Sequence, residues 1–396
     1  MNRALPLAAR ARVLLRDPQA VLSKVAVHLV EHGARIGEGQ GGMTLIDFEF
    51  CRGTLHAERD SLVLQAEAPD TAFLHEIKVE LAEHVEEFAC LPAGSITWEG
   101  DASDLDAPPN FRLMTVVDAF HMTPHMRRIR LSGEALTRFA SRRNLHCKLL
   151  IPPRGGTPEW PFLDQNGRFV WPSGPGRPAV RKYTIRAVDP DAGWLDIDFV
   201  LHDHAGPGSA WAATARPGDV IGLVGPGGRS VLPAARYLLA GDETALPSIA
   251  RLLETLPAQS RGLALIEVAD AGEEQAIDNR TAIDIRWLHR GAAPAGTSAV
   301  LANAVKALPQ PDEVDDLFVW IACEFAAFKA IRVHLRREWG LAKEAHLITS
   351  YWRRGWLEDG AETLASASAL VASIGRKVLG VAQARRKSIM GPSRAR

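Results

Sequence analysis

The sequence predicts a multidomain protein: a small α+β domain, then an antiparallel β-barrel, then a doubly wound α/β domain. Its 396 residues suffice for two or three domains of ordinary size. Runs of alternating apolar and polar residues, separated by Gly and Pro turns, fill the middle of the chain, as in a barrel. From about residue 235 short apolar runs alternate with helical patterns, which is typical of a parallel sheet.

The composition excludes several classes of protein. A hydrophobic fraction of 46% with 23% charged residues is ordinary for a globular chain and excludes disordered or collagen-like proteins. A net charge of -1 argues against a nucleic-acid partner, and no apolar run approaches the ~20 residues of a transmembrane helix. The Arg-rich start is unlike a secretory signal. The cysteines are far apart and form no CxxC pair, which favours a reducing cytoplasm; they are Cys51, Cys90, Cys147 and Cys323.

The first predicted domain covers residues 1–104, and its role is open. Apolar residues recur every fourth position through the segment 70–89, which predicts a helix with one apolar face; they are Phe73, Ile77, Leu81 and Val85. Strands are predicted at 54–57 and 61–65, and the acidic, Pro-containing segment 101–110 reads as a linker.

This domain contains the motif HLVEH, with His28, Glu31 and His32. Two histidines four residues apart on a helix could bind one metal ion. The sequence assigns no third ligand, so a solvated helix surface is the favoured interpretation and no metal site is predicted.

The barrel is predicted over 111–232 and the α/β domain over 233–356. A basic tail that could form a helix is predicted over 357–396. The segment 195–202 alternates, with Leu195, Ile197 and Phe199 on one face and Asp196 and Asp198 on the other. Further barrel strands are predicted at 113–120, 127–131, 147–151, 182–188 and 219–224. Sheet strands are predicted at 237–240, 263–268, 285–288, 317–322 and 348–352.

A barrel followed by a nucleotide-type domain is suited to a flavin in the first and a reductant in the second. In the segment 181–186, Tyr183 could stack on a flavin ring and Thr184 could hydrogen-bond to its hydride-accepting nitrogen. Arg181 could clamp the pyrophosphate. The alternative is a barrel strand with a solvated basic face.

Three further segments could bind a cofactor. The Gly-Pro-Gly turn after His202 could present N–H groups to phosphate, with Ser209 capping a helix from about Ala210; the alternative is an ordinary turn. The segment 241–247 follows a strand where a dinucleotide phosphate would bind, with Thr244 as a plausible N-cap. Cys323 closes the fourth sheet strand, where it would lie near a nicotinamide or be a buried small hydrophobe.

Six motifs together resemble the siderophore-interacting proteins, FAD-containing ferric-siderophore reductases related to the ferredoxin-NADP reductase fold. The motifs span about 111–356 and are RKYTIR, DFVLHDHAGPGSAWA, RPGDVIGLVGPGG, AGDETALPSIARLLETLP, WIACEFAAFKAIRVHLRREWG and SYWRRG. Residues 22 to about 100 resemble a small domain of uncharacterised function that is often fused to this family.

The resemblance implies a reductase that passes electrons from NAD(P)H through FAD to chelated Fe(III) and releases Fe(II). Tyr183 and Thr184 are the implied catalytic residues. The implied FAD contacts are Arg181, Tyr183, Thr184, Ile185, Asp198, Val200, His202, Gly206, Ser209, Ala210 and Trp211. The implied NAD(P)H contacts are Gly241, Asp242, Glu243, Thr244, Ala245, Cys323 and Glu324. Lys148, Arg229 and Arg353 are the implied siderophore contacts.

Two departures and two alternatives accompany the resemblance. Cys323 replaces the family's usual glycine, so its side chain could narrow the nicotinamide pocket. Acidic residues follow the second sheet strand, which favours NADH at least as strongly as NADPH. Basic residues in the tail could instead receive an acidic ferredoxin as electron donor. A non-enzymatic siderophore- or iron-binding module is the remaining alternative.

Overall fold

The computed structural model describes most of the chain. The described residues are 5–32, 34–48, 50–103, 105, 107–141, 144–164, 167–202, 206–228, 231–311 and 316–356. Arg229 and the tail predicted at 357–396 lie outside them. The described chain divides into two compact units, one of residues 5–111 and 155–177 and one of residues 112–154 and 178–356. No helix among the described residues is long and apolar enough to cross a membrane.

The first unit contains an antiparallel sheet with two helices. In chain order its elements are β1 (Leu7–Leu14), α1 (Pro18–Glu31), β2 (Arg35–Glu38), β3 (Thr44–Asp47), β4 (Arg52–Ala57), β5 (Ser61–Ala68), α2 (Thr71–Ala89) and β6 (Glu99–Gly100). The strands lie in the order β2-β3-β4-β5-β1-β6. The helices contact each other and the sheet. Leu29, Leu64 and Leu81, one each from α1, β5 and α2, are fully buried in the shared core.

The predicted helix over 70–89 is confirmed as α2. Its apolar stripe buries Ile77, Leu81 and Val85. The Asp70 side chain accepts hydrogen bonds from the first free N–H groups of the helix, those of Ala72 and Phe73, which explains where it begins.

The second unit opens with a closed barrel. Its strands are β7 (Phe111–Thr123), β8 (Met126–Ser132), β9 (His146–Ile151), β12 (Ala179–Asp189), β13 (Trp194–Val200) and β14 (Val220–Gly227). They close in the order β12-β13-β8-β7-β14-β9. Between β9 and β12 the chain forms β10 (Phe162–Leu163) and β11 (Phe169–Val170), and a short helix, α3 (Pro207–Ala212), joins β13 to β14.

The alternation predicted near residue 195 is confirmed in β13. Leu195, Ile197 and Phe199 are fully buried in the barrel core. The opposite face is buried as well, because Asp196 and Asp198 form two-point ion pairs with arginines of β8. The sequence predicts that this face is polar. Its burial depends on arginines 70 and 66 positions away in the chain, which the local pattern does not reveal.

The predicted barrel domain, 111–232, contains an insertion that the sequence did not reveal. Residues 155–177, which include β10 and β11, cluster with the first unit. Arg168 lies 3.9 Å from the Glu83 carboxylate on α2. The ring centroids of Phe111 and Trp160 are 6.0 Å apart. A hairpin with two-residue strands has too little surface to form its own core, so it packs on a neighbour.

The second unit continues into a parallel sheet, as predicted. Its strands are β15 (Arg236–Gly241), β16 (Arg261–Val268), β17 (Ala282–His289), β18 (Leu317–Glu324) and β19 (His346–Trp352), in the order β17-β16-β15-β18-β19. Its helices are α4 (Leu246–Thr255), α5 (Val300–Lys306) and α6 (Phe325–Arg337). One core layer contains residues of α4 and the other contains residues of α5 and α6, so helices cover both faces.

Candidate functional site

The sheet has a topological switch point between β15 and β18. The chain starts at β15, adds β16 and β17 on one side, and then adds β18 and β19 on the other. Such a reversal opens a crevice at the carboxyl ends of the two central strands, where α/β proteins bind nucleotides. The predicted segments 241–245 and 323–324 both lie at these ends.

Gly241 allows the close approach of the two strand ends. A Cβ built at this position would lie 2.3 Å from the Ala245 Cβ and 2.6 Å from the carbonyl oxygen of Ala322. Real Cβ atoms do not approach backbone so closely, so the turn from β15 into α4 requires glycine.

Asp242 joins three strand ends. One carboxylate oxygen accepts from the backbone N–H and the hydroxyl of Thr244, at 3.0 and 2.5 Å. The other accepts from the Glu324 N–H and the Trp352 indole N–H, both at 2.8 Å. Burial raises the pKa of the Asp242 carboxyl above its usual value, against these hydrogen bonds. The carboxylate therefore acts as an internal tie between β15, β18 and β19.

The expectation that Thr244 caps α4 is wrong. The cap residue is Ala245, and no side chain caps that end of the helix. The Thr244 hydroxyl instead donates a hydrogen bond to the Asp242 carboxylate two residues earlier.

Buried acids gather behind the crevice. Glu243 pairs with Arg290, and burial raises the pKa of its carboxyl. Glu267 accepts a hydrogen bond from the Leu301 N–H at 3.1 Å, and burial raises its pKa to about 7. Glu324 accepts from the Ala326 N–H and caps α6. These carboxylates are therefore engaged by Arg290 and by backbone N–H groups.

Replacing Glu267 by Gln should stabilise the protein at alkaline pH. The folded-state pKa of Glu267 is about 7 against an ordinary 4.5, so its unfavourable contribution develops as pH rises from 4.5 to 7. Glu267→Gln keeps the acceptor for Leu301 without the charge, and should raise the free energy of unfolding at pH 8 by roughly 2–3 kcal/mol. Little change is expected at pH 4.5. Denaturant unfolding at both pH values, with the exposed Glu274→Gln as control, measures this; an equal effect at both values would contradict it.

Cys323 does not narrow the crevice. Its side chain is fully buried in the core layer that contains residues of α5 and α6, and burial raises the pKa of its thiol. Of the two interpretations left open for Cys323, the buried small hydrophobe is confirmed, and the expectation that its side chain narrows the nicotinamide pocket is wrong. Strand parity explains this, because side chains at neighbouring positions point to opposite faces of β18.

On the barrel side, Tyr183 is held against α3. Its ring centroid lies 4.4 Å from that of Phe199, which itself packs 5.7 Å from the Trp211 ring. A Cβ at Gly208 would lie 2.3 Å from the Tyr183 hydroxyl oxygen. The half-buried Tyr183 ring is thus fixed between the barrel core and a glycine whose missing side chain makes room for it.

The turn after His202 differs from the prediction. Residues 203–205 lie outside the described residues, and His202 is exposed. The helix begins at Pro207, with Gly206 as cap, and not at about Ala210. Proline favours the first helical position because its fixed φ suits it. Ser209 is consequently inside the helix, buried, and does not cap it.

Three predicted FAD contacts are already engaged. The Ile185 side chain is fully buried in the barrel core. Both oxygens of Asp198 accept from Arg128, at 2.6 and 2.8 Å. Val200 packs against the core layer that contains residues of α4. Their contact with a cofactor stays a prediction.

Barrel and sheet meet through a partly buried chain of polar side chains. The hydroxyl oxygens of Thr184 on β12 and Ser248 on α4 lie 2.7 Å apart. The His146 Nε2 on β9 lies 2.5 Å from the Tyr351 hydroxyl on β19, and 3.4 Å from Ser248. Burial lowers the pKa of His146 to about 4, so its ring is neutral and accepts from the phenol. Thr184 therefore faces the nucleotide-type domain.

Two lysines lie side by side next to this junction. Lys148 and Lys182 are cross-strand partners on β9 and β12, two positions along each strand from the partners His146 and Thr184. Their Cβ atoms are therefore ~5 Å apart on the same face. Burial and the neighbouring Lys182 charge lower the pKa of the Lys148 ammonium. An anion bound here would relieve this repulsion.

Arg353 lies beyond the end of β19, two residues after Tyr351. Its guanidinium stacks on Phe325 and Trp356, 4.9 and 4.2 Å from the ring centroids. Lys148 follows His146 by two residues on β9, and Arg353 follows Tyr351 by two residues in sequence. The predicted substrate residue Arg229 lies outside the described residues.

The acids after β16 are used differently from one another. Glu273 is buried and accepts from the Thr123 hydroxyl at 2.6 Å and the His125 N–H at 3.1 Å, which ties the sheet to the barrel. Asp270 and Glu274 are exposed at the crevice side of the strand. Only these two remain as acids for a ribose among the three that the sequence offered in this segment.

Sequence reasoning missed Lys182, His146, Ser248 and Tyr351 as members of the site. Lys182 lies inside the motif that was recognised, but only the strand register pairs it with Lys148. The other three carry no local signal, because their proximity depends on how the barrel packs against α4 and β19.

Three family descriptions match the sequence in succession. "Uncharacterized protein conserved in bacteria (DUF2218)" matches residues 10–99, "Siderophore-interacting FAD-binding domain" matches residues 115–230, and "Siderophore-interacting protein" matches residues 234–355.

Individual relatives match the same part of the chain. The ferric vibriobactin reductase ViuB of Vibrio cholerae is 34% identical over 252 residues, which is 63% of this chain and 91% of the relative. The NADPH-dependent ferric-chelate reductase of Escherichia coli is 35% identical over 221 residues, 54% of this chain and 82% of the relative. The crystal structure of a siderophore utilization protein from T. fusca is similar with a TM-score of 0.57 and 39% identity, covering 63% of this chain and 95% of that one.

Proposed function

We propose, since this chain belongs to the siderophore-interacting protein family, that it is an FAD-dependent reductase of ferric siderophores that uses NAD(P)H. The observation that carries the proposal is the lysine pair beside the junction of barrel and sheet. There, one cationic side chain for an anionic chelate lies on the strand that bears Tyr183 and Thr184, and the other lies on the neighbouring strand.

The residues of the barrel fit FAD. The half-buried Tyr183 ring offers an aromatic surface, and Gly208 lets the α3 backbone approach it. Arg181 and His202 supply cationic or polar groups for a diphosphate, and Thr184 supplies a hydroxyl at the junction. Bound FAD would accept two electrons as a hydride and release them singly, as reduction of Fe(III) requires.

The sheet supplies the place for the nicotinamide donor. The crevice at Gly241 and Glu324 is next to α4, whose Ser248 contacts Thr184. This chain of contacts brings the donor's crevice and the flavin strand to one junction. The ion pair of Arg186 with Glu254 and the hydrogen bond that Arg251 donates to the Ile185 carbonyl oxygen hold α4 against β12. The two reaction partners would therefore meet in a fixed geometry.

The substrate would enter as an iron chelate of negative charge. Lys148 and Lys182 would attract it and hold it by charge, and Arg353 would add a third cation. Oxygen ligands of catecholates or hydroxamates hold Fe(II) more weakly than Fe(III), so reduction releases the iron.

The first experiment is an absorbance spectrum followed by anaerobic additions. Flavin bands should bleach with NADH or NADPH and return when a ferric siderophore is added, with Fe(II) trapped by a chelating dye. Bleaching by reduced ferredoxin, with none by NADH or NADPH, would identify ferredoxin as the electron donor. A protein that takes up no FAD would overturn the reductase and favour a binding module.

Lys148→Ala should raise the KM for a ferric catecholate chelate of high negative charge about tenfold. It should change the KM for a neutral ferric hydroxamate less than twofold, because only the charged chelate gains from the lysine pair. The effect of Lys148 on the KM for the charged chelate should also become smaller with added salt. Steady-state kinetics with both substrates measures this, with the exposed Lys306→Ala on α5 as matched control. Equal effects on both substrates would remove the charge argument.

NADH should support turnover at least as well as NADPH at equal concentration. Asp270 and Glu274 are exposed after β16, where an acid suits a ribose hydroxyl and repels a 2′-phosphate. Asp270→Asn should lower the KM for NADPH severalfold and leave that for NADH nearly unchanged. A strong preference of the native protein for NADPH, the donor named for the Escherichia coli relative, would contradict this.

A further inference from the structure

Three histidines of the first unit converge from two helices. His28 and His32 lie one turn apart at the end of α1, and His84 faces them from α2. Their ring centroids are 4.8, 4.9 and 4.7 Å apart in the three pairs. One nitrogen from each ring lies within 4.8 Å of the others. The sequence identified the first two, and α2 supplies the third ligand that the sequence could not assign.

A carboxylate orients one of these rings. Glu80, one turn before His84 on α2, lies 2.5 Å from the His32 Nδ1 through its Oε1 atom. The other nitrogen of this ring, Nε2, makes no hydrogen bond within the described part of the chain and is available as a ligand. The same Glu80 oxygen lies 3.9 Å from the His84 Nε2. A carboxylate behind a histidine is the usual arrangement at protein metal centres, because it fixes the ring and increases its basicity.

Three ring nitrogens of the cluster are shielded from water. The His32 Nε2 and both ring nitrogens of His84 are inaccessible to solvent and accept or donate no hydrogen bond within the described part of the chain. Buried polar atoms without a partner are costly and uncommon. A bound cation would satisfy the ring nitrogens that face it. A metal ion could still reach the cluster from solvent, because 32% of the neighbouring Glu80 side chain is exposed.

We propose that His28, His32 and His84 bind one divalent transition-metal ion of the Zn²⁺, Fe²⁺ or Co²⁺ type, with Glu80 orienting His32. Imidazole ligands favour such ions over Mg²⁺ and Ca²⁺, which prefer oxygen. In a tetrahedral centre with Zn–N bonds of ~2.0 Å, ligand nitrogens lie ~3.3 Å apart. Side-chain rotations that move each ligand nitrogen by about an ångström would therefore bring the three nitrogens to this spacing.

The site is independent of the reductase chemistry. Its residues all belong to the first unit, and none is among the residues assigned to FAD, nicotinamide or siderophore. The ion would cross-link α1 to α2, so it should stabilise this unit on binding.

The test uses the untagged full-length holoprotein, stripped with a chelator and titrated with Co²⁺ and, separately, Zn²⁺. One equivalent of Co²⁺ should bind with visible absorption bands of nitrogen coordination, and Zn²⁺ should displace it. Equilibrium dialysis with metal analysis gives the stoichiometry. His28→Gln and His84→Gln, one on each helix, should weaken binding at least tenfold. Glu80→Gln should weaken it ten- to a hundredfold.

The matched control is His56→Gln on β4, a histidine of the same unit outside the cluster, which should bind as the native protein does. Circular dichroism checks that each variant is folded, and Zn²⁺ should raise the thermal midpoint of the native and His56→Gln proteins alone. The proposal is overturned if the native protein binds no metal at 100 micromolar free ion, roughly the weak end of protein metal sites. It is overturned equally if the cluster variants bind as tightly as the control.

Discussion

Gly208→Ala should reduce FAD binding at least tenfold while the protein stays folded. The new Cβ would lie 2.3 Å from the Tyr183 hydroxyl oxygen and 3.1 Å from the ring carbon that bears it. Tyr183 cannot retreat freely, because its other contacts include the fully buried Phe199. The ring or α3 must therefore shift, and the aromatic surface for the flavin shifts with it. Titration of the apoprotein with FAD, followed by flavin fluorescence, measures the affinity.

Two variants make this result specific. Gly227→Ala on β14 adds the same methyl group where no described atom lies within 4 Å, so it should bind FAD normally. Tyr183→Phe in the Gly208→Ala background removes the closest atom and should restore part of the affinity. Unchanged FAD affinity in Gly208→Ala would mean that the position of Tyr183 does not govern flavin binding.

Asp242→Ala should lower the free energy of unfolding by about 3–5 kcal/mol and greatly weaken the use of NAD(P)H. The substitution leaves four donors without their acceptor: two on Thr244, the Glu324 N–H and the Trp352 indole. Each buried donor without a partner costs about 1–3 kcal/mol, and relief of the buried charge offsets part of the total. Asp242→Asn should be nearly as damaging, since its amide N–H₂ would face donors.

Denaturant unfolding and rapid-mixing measurement of flavin reduction report the two effects separately. Asp278→Ala is the matched control, because its carboxylate pairs with Arg280 at 2.7 Å where both side chains are largely exposed. It should cost less than about 1 kcal/mol. Normal stability of Asp242→Ala would show that the three strand ends are held by packing and do not need the tie.

The order of the domains followed from the sequence because periodicity is local. The apolar stripe of α2 and the alternation in β13 are read from neighbouring residues, and both are confirmed. The placement of residues 241–245 and 323–324 at strand ends was equally local, since each segment directly follows an apolar run.

The wrong predictions concern contacts that depend on the rest of the fold. Thr244 turns to the Asp242 carboxylate and not to the end of α4. Cys323 points into the core because of strand parity, which a motif alone does not give. The hairpin of residues 155–177 follows the barrel in sequence and belongs to the first unit in space.

The sequence by itself determined the three kinds of domain, their order along the chain and the motifs that indicate flavin and nicotinamide binding. Only the tertiary structure decided which charges and rings meet: Lys148 beside Lys182, Thr184 against Ser248, and His84 opposite His28 and His32. The physical reason is that these contacts depend on strand register and helix packing. Both are set by the burial of many apolar side chains at once, and no single segment of the chain encodes them.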